Sequence, residues 1–336
     1  MSPIYQQIKT VIDGSRRILL HLHPGPDADS TGSALSFFHY LKSINKDVTL
    51  ISGDSNLSPS LMTLPGADQI LQKNYFDLEI SDFDLFIILD SSETRQISKL
   101  KEIVFPPTLK TIVIDHHTSN VGFGNINLID GSSPATCQIV FELFEALEIN
   151  ITPIIATCLF AGIYSDTGGF KYNSTSSKTF SICAKLTKIA PDFSNTIFNL
   201  ENNDRPERLK LLGLHLNHVE TYFDNRVAFS AISQAMIRKA DFNADDSVNS
   251  EVANTLKSVV GWEIGISMIE AGPNRIKVSF RTRDSEKFNV SAIATATGFG
   301  GGHMAAAGAL IPMSLSKAKR LIIRTIARLH PELGEA

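Results

Sequence analysis

The stretch "RILLHLHPGPDADSTGSALSFFHYL" (residues 17–41) contains, in order, an apolar run, a short turn and a helical pattern. "RILLHLH" is apolar at nearly every inner position, as a strand buried on both faces of a parallel sheet must be. Beyond the turn, Ala34, Phe37, Phe38 and Leu41 recur at i, i+3, i+4 and i+7, which predicts an amphipathic helix packing back on that sheet. Gly32 and Ser33 are where the chain is expected to turn into the helix. His23, Asp27 and Asp29, three potential metal ligands, crowd into the seven positions between strand and helix. A strand-to-helix turn ordinarily needs one capping side chain, so this crowding requires another cause.

Three more runs of the same kind follow, "DVTLIS" (47–52), "FDLFIILD" (83–90) and "KTIVID" (110–115). Alternating with helical patterns, they predict an α/β fold with a parallel sheet. "SPATCQIVFELFEAL" (133–147) and "TPIIATCLFAGIYSDTGGF" (152–170) read as helices, with Pro134 and Pro153 near first turns and Gly168-Gly169 ending the second. From about 174 to 225 the pattern is helical and polar, as in a connector. A smaller α+β domain then begins with "RVAFSAIS" (226–233) and a hairpin, "WEIGISMIEAGPNRIKVSFRTR" (262–283), turning at Gly272-Pro273-Asn274. In its second strand Ile276, Val278 and Phe280 alternate with Lys277, Ser279, Arg281 and Arg283, so one face is apolar and the other mostly basic. A helix near 289–297, a glycine loop and an amphipathic helix around 315–329 complete the chain. The expected division is a first domain over 1–190, a helical connector over 191–225 and a second domain over 226–336.

The whole composition fits this picture: 336 residues, 43% hydrophobic and 20% charged, can bury the cores of two domains. A formal charge of -4 argues against a broad basic surface that coats duplex nucleic acid, while a small phosphorylated ligand can still be gripped locally. The N-terminus lacks the pattern of a secretory signal, and the longest apolar stretch, "PIIATCLFAGIY" (153–164), is too short to span a bilayer. Cys137, Cys158 and Cys183 show no CxxC spacing and read as reduced core thiols. A cytoplasmic protein with no membrane partner is expected.

In an open parallel sheet, ligands bind at the carboxyl ends of the strands. His23, Asp27 and Asp29 follow the first strand, Asp90 ends "LFIILD", and Asp115, His116 and His117 end "TIVIDHH". Asp166 lies in "SDTGG", where a helical pattern breaks. Brought together without a cation, these carboxylates would repel one another. Mixed carboxylate and imidazole donors suit Mn²⁺, Mg²⁺ or Zn²⁺, and the absence of cysteine from the set argues against a structural thiolate zinc site. His23, Asp27, Asp29, Asp90, His116 and Asp166 are too many ligands for one catalytic ion that keeps open positions. They suit a bridged pair about 3.5 to 4 Å apart that promotes in-line attack on phosphorus. Taken singly, Asp29, Asp90 or Asp115 reads as a helix cap; the recurrence at several strand ends favours the metal reading.

"HPGPDAD" (23–29) follows the pattern H-x-x-P-D-x-D, and "LDSS" (89–92), "DHH" (115–117), "SDTGGF" (165–170) and "GFGGGHMAAAG" (298–308) follow it in order. On these five motifs, which span nearly the whole chain, the sequence resembles the DHH phosphoesterase superfamily, a DHH domain joined to a DHH-associated domain. Within it, the length is similar to that of the stand-alone oligoribonuclease/pAp-phosphatase and cyclic-dinucleotide phosphodiesterase group. The resemblance implies a phosphodiesterase dependent on two Mn²⁺ ions, with Mg²⁺ or Co²⁺ as substitutes. Its substrates would be short oligonucleotides (nanoRNA) and linear or cyclic dinucleotides such as pApA and c-di-AMP, cleaved to mononucleotides, with 3′-phosphatase action on pAp beside this. It implies that His23, Asp27 and Asp90 hold one ion and Asp29, Asp90, His116 and Asp166 the other, with Asp90 as the bridge. His117 would contact the scissile phosphate and Asp115 would orient a neighbouring histidine.

The "GGGH" run has a physical logic of its own. The backbone N–H groups of Gly300, Gly301 and Gly302 can approach an anion closely, His303 can add a hydrogen bond, and Arg281 offers a bidentate grip on phosphate. Together they read as a substrate clamp in the second domain. Phe299, beside the run, is the aromatic expected to stack on a base, and Phe280 is expected in the core. His21 is expected to be a supporting or core imidazole. One position departs from the family pattern: where Asn often stands two residues after the first-motif histidine, this chain has Gly25. A family II-like inorganic pyrophosphatase and a non-catalytic nucleotide sensor are the competing readings. The "GGGH" run speaks against the first and the complete ligand set against the second. A homodimer stays open.

Overall fold

A computed structural model describes residues 2–203, 206–240 and 248–335. The chain forms two compact units, Met1–Asn203 and Asp204–Ala336.

In the first unit, helix α1 (Pro3–Gly14) leads into β1 (Arg17–His21), α2 (Ala28–Ser43), β2 (Asp47–Ile51), β3 (Leu85–Leu89), β4 (Lys110–Asp115) and β5 (Ile126–Ile129). These strands form a five-stranded sheet in the order β2-β1-β3-β4-β5, parallel at every pairing, as the apolar runs predicted. The chain leaves β1 for β2 on one side and returns to β3 on the other, so the topological switch point lies between β1 and β3, where α/β sheets bind ligands. Helices α3 (Thr136–Ala146), α4 (Pro153–Asp166), α5 (Ser177–Ile189) and α6 (Phe193–Glu201) follow.

The turn into α2 differs from expectation. Asp27 caps the helix, its side chain accepting the N–H groups of Asp29 and Ser30 at 3.0 and 2.9 Å, so the helix is under way at Ala28 and already includes Gly32 and Ser33. Gly32 serves a different purpose: a Cβ there would run into the Cys158 carbonyl oxygen, so its absence lets α2 and α4 approach closely.

The stretch expected as a connector is shared between the units. Ile182, Cys183 and Leu186 of α5 belong to the first core, and Ile197 and Leu200 of α6 pack against it. Leu211 of α7 (Pro206–Leu216) belongs to a cluster of the second unit, and β6 (Val219–Tyr222) is a strand rather than helix. The polar faces of these helices hid their apolar contacts in the sequence pattern.

The second unit continues with β7 (Val227–Ile232), α8 (Gln234–Lys239), α9 (Val248–Ser258), β8 (Ile264–Gly272) and β9 (Arg275–Thr282). Helix α10 (Val290–Ala296), β10 (Gly300–His303), β11 (Ala306–Ile311) and α11 (Leu315–Leu329) complete it. Its six-stranded sheet runs β10-β11-β9-β8-β7-β6, antiparallel except for the β7–β8 pair. Gly272 pairs with Arg275 around Pro273-Asn274, with Asn274 at φ 51°, so the expected hairpin turn is present. One sheet face, with Phe229, Ile266, Val278 and Phe280, meets Ile322 and Ile326 of α11. On the other, Ala228 and Ile269 meet Leu211 of α7 and Val252 and Leu256 of α9. The glycine run is not a loop: Gly300–His303 is β10, the strand at one end of the sheet, laddered to β11. Without side chains the run carries no strand signal, and only its pairing partner reveals it.

Candidate metal centre

The acidic and imidazole residues of the first unit come together where its geometry predicts. Asp90 follows β3 at the switch point and adopts a left-handed backbone, φ 53°, rare for a residue with a side chain. Its carboxylate is 2% exposed and stands between two histidines: His23 Nε2 is 3.3 Å from Oδ2, and His116 Nε2 is 3.5 Å from Oδ1. His23 Nε2 also lies 3.6 Å from Asp27 Oδ2, and His116 Nε2 lies 3.3 Å from Asp166 Oδ2. Donor atoms within 4.8 Å of one another therefore fall into overlapping groups: His23 with Asp27 and Asp90, Asp29 with His116 and Asp166, and Asp90 with His116 and His117. The Nδ1 atoms of His23 and His116 face the carbonyls of Pro24 and Ser133 at 3.4 and 3.3 Å. With its proton on Nδ1, each ring turns an Nε2 lone pair to the carboxylates, the tautomer a metal ligand requires.

Asp29 occupies the first turn of α2 and is buried, its two oxygens accepting the backbone N–H groups of Thr136 and Cys137 at 2.6 and 2.8 Å. The start of α3 thus fixes this carboxylate, and Thr136 Oγ1 donates to Asp90 Oδ1 at 3.1 Å as well. Asp166 is the last residue of α4, and Gly168, Gly169 and Phe170 follow with positive φ. His117 Nδ1 lies 2.7 Å from Asp115 Oδ1, and Asn120 Nδ2 donates to Asp115 Oδ2 at 2.8 Å and to the Ser91 carbonyl at 3.1 Å. Thr136 and Asn120 escaped the sequence reading, and Cys137 was read only as a core thiol. Asn120 lies three residues past the second histidine of "DHH", a signal that was present, whereas the α3 contacts come from a helix start that strand-end reasoning does not search.

Without a cation the cluster would be under electrostatic tension. Burial and the charge of Asp90 push Asp29 up to about 7, and burial with Asp29, Asp27 and Asp90 pushes Asp166 well above the carboxylate range. For His23, burial is outweighed by hydrogen bonds and charge from Asp27 and Asp90, which hold it well above its usual value. Asp27 is lowered to about 2, since His23 and the N–H groups of Ser30 and Asp29 outweigh its desolvation. Burial likewise fails to keep His117 low, because Asp115 raises it. The set contains carboxylates and imidazoles without thiolate, and its repulsion is of the kind divalent cations relieve, so the residues fit a pair of such ions.

His21 takes no part. It is fully buried against Phe86, ring centroids 5.3 Å apart, and burial followed by the charge of His23 lowers it to about 3, a neutral core imidazole. Gly25 has φ 74° and its N–H donates to Ser55 Oγ at 2.7 Å; the backbone turn itself calls for glycine there. Arg281, Gly300, Gly301, Gly302 and His303 all belong to the second unit, Phe280 is buried in its core and Phe299 is 37% exposed.

Residues 17–163 match the DHH family, N-terminal domain, and residues 224–328 match the DHHA1 domain. The chain belongs to the DHH phosphoesterase superfamily. The DHH match takes in every cluster residue except Asp166, and the DHHA1 match takes in Arg281 and the "GGGH" strand. Similar proteins include the bifunctional oligoribonuclease and PAP phosphatase NrnA of Mycoplasma genitalium, 28% identical over 88% of each chain. The protein of the same name from Bacillus subtilis is 26% identical over 93% of this chain and 95% of its own. Among solved structures, an exopolyphosphatase-related protein from Bacteroides fragilis superposes with a TM-score of 0.88 at 25% identity, covering 98% of this chain and 97% of that one. No helix among the described residues is long and apolar enough to cross a membrane.

Proposed function

We propose that this DHH phosphoesterase hydrolyses short oligonucleotides and linear or cyclic dinucleotides to mononucleotides, removes the 3′-phosphate of pAp, and uses Mn²⁺. The observation that carries the reading is the position of Asp90, whose two oxygens face His23 and His116 and so belong to two donor groups at once. The names of the similar NrnA proteins support the substrate class.

His23, Asp27 and Asp90 would hold one ion, and Asp29, Asp90, His116 and Asp166 the other. When bound, such ions neutralise phosphoryl charge and acidify an attacking water. The rest falls to the chain's own groups. His117, oriented by Asp115 through Nδ1, contacts the reacting phosphate. Asn120 holds Asp115 by bonding it and the Ser91 carbonyl together. The α3 start holds Asp29 and Asp90 so that neither has to reorient as charge develops. Arg281, His303 and the glycine strand recognise a further phosphate of the substrate, the part played by basic and backbone N–H groups in anion sites.

Purified protein with Mn²⁺ is expected to release AMP from pApA and phosphate from pAp, and to leave pyrophosphate intact. Binding of pApA without product in fresh Mn²⁺ would make the protein a sensor, and phosphate release from pyrophosphate alone would make it a pyrophosphatase.

A further inference from the structure

We infer that Lys257, on the last turn of α9, is a specificity-determining residue: beside Arg281 it holds a terminal phosphomonoester of the substrate, favouring phosphorylated short oligonucleotides over unphosphorylated ones. The inference rests on the nucleotide-hydrolysing function proposed above.

The register of the second sheet places Lys257. Gly265 of β8 stands directly opposite Arg281 of β9, so both positions face the same side of the sheet. A Cβ on Gly265 would run into the Ala253 carbonyl oxygen and come within 2.8 Å of the Lys257 backbone nitrogen. The missing side chain therefore lets the end of α9 rest on the sheet beside Arg281. Arg283 pins that helix end, its Nη1 donating to the carbonyls of Lys257, Ser258 and Val259 at 3.3, 3.3 and 2.9 Å. The bonds to Lys257 and Ser258 reach carbonyls of the last helical turn, the groups a helix terminus leaves without intrahelical partners.

On the other side of Arg281 the same row continues through Ala306, opposite it on β11, to His303 on β10. The next row carries Ser279, Gly308 and Gly301. Among the described residues neither glycine is demanded by packing: a Cβ on Gly301 would meet nothing nearer than Thr295 Oγ1 at 4.0 Å, and one on Gly308 only the Val278 carbonyl at 3.5 Å. The result is a low floor of small residues, bordered by Arg281 and Lys257 at one side and by His303 at the other. Such a floor lets a bulky anion come down onto the sheet while cations meet it from the margin.

Lys257 is half-buried, and burial together with the charges of Arg281 and Arg283 lowers its ammonium from the usual lysine value. An arriving anion relieves that repulsion. A phosphodiester brings one negative charge, whereas a phosphomonoester brings about 1.5 to 2 at neutral pH. The cation beside Arg281 therefore gains most from the monoester. The competing role for Lys257 is to complement the carboxyl end of α9 without touching any ligand.

The test compares pApA with ApA on full-length protein in Mn²⁺. Wild type is expected to prefer pApA in kcat/KM, Lys257→Met to lose about tenfold of that preference, the worth of one charge-assisted hydrogen bond, and Lys257→Arg to keep most of it. An unchanged preference in Lys257→Met would overturn the assignment. Equal losses on both substrates with a lowered melting temperature would also overturn it and leave Lys257 as a helix-end residue. Wild-type protein that releases no AMP from either substrate would remove the proposed function itself, and this inference with it.

Discussion

His117 Nδ1 lies 2.7 Å from the Oδ1 of Asp115, whose other oxygen accepts from Asn120 at 2.8 Å. The buried carboxylate orients the ring and, against the effect of burial, raises its pKa. Asp115→Asn keeps the shape but loses the charge. We expect a fall of about 10- to 100-fold in kcat/KM for pApA, the usual effect of removing a partner behind a metal-site side chain. Steady-state rates measured beside circular-dichroism melts check it. A folded variant with the wild-type rate would show that His117 does not depend on Asp115.

In the proposed site, protons and metal ions would compete for the same carboxylates. Asp29 rises from an ordinary 3.8 to about 7 in the metal-free protein, so between those values the native chain binds a proton that the unfolded chain lacks. That contribution to stability is present at low pH and is lost as pH rises through the window. Metal stabilisation runs the opposite way, because binding must displace the proton. The rise in melting temperature on adding Mn²⁺ should therefore be small at about pH 5 and large at about pH 8. Equal shifts at both would mean that Asp29 and Asp166 take no part in binding.

The glycines of "GGGH" separate into structural and functional positions. A Cβ on Gly300 would run into the Gly308 carbonyl and approach Ala309 Cβ to 2.7 Å, so Gly300→Ala should lose about 1 to 3 kcal/mol of stability. Among the described residues, a Cβ on Gly301 meets only Thr295 Oγ1, at 4.0 Å. Gly301→Ala should melt like wild type yet raise KM for nucleotide substrates. Thermal melts and KM values for the two variants make the comparison; a Gly301→Ala protein with wild-type KM would remove that glycine from the substrate site.

Gly162 lies inside α4, yet it borders the candidate metal centre. A Cβ there would collide with Cys137 Sγ and come within 2.7 Å of Asp29 Oδ1. Gly162→Ala should therefore weaken Mn²⁺ binding by about tenfold or more in protein that still folds, because the carboxylate must move. Calorimetric titration of the folded fraction measures this, and unaltered affinity would contradict the placement of Asp29 in the site.

Much of this was legible because periodicity and strand ends are local signals. "FDLFIILD" is apolar throughout and Asp90 follows its strand; "KTIVIDHH" delivers Asp115, His116 and His117 in the same way. The strand β5 escaped notice because Ile126–Ile129 is short and only half-buried, giving neither a full apolar run nor a clean alternation. Gly300–His303 read as a loop since a strand without side chains exists only through its neighbour β11. The hold of Thr136 and Cys137 on Asp29 spans 107 and 108 positions and uses backbone N–H groups, which no residue type advertises. Lys257 became visible only through the register that sets Gly265 against Arg281.

Asp90 is the residue proposed to join two ions in one site. Calorimetric titration of metal-free wild type and Asp90→Asn protein with Mn²⁺, each assayed afterwards for AMP release from pApA, tests this role most directly. Two ions per wild-type chain, with a variant that binds at most one tightly and releases no AMP, is the predicted result. A wild type that saturates at one ion, or an Asp90→Asn protein with full stoichiometry and activity, would contradict it.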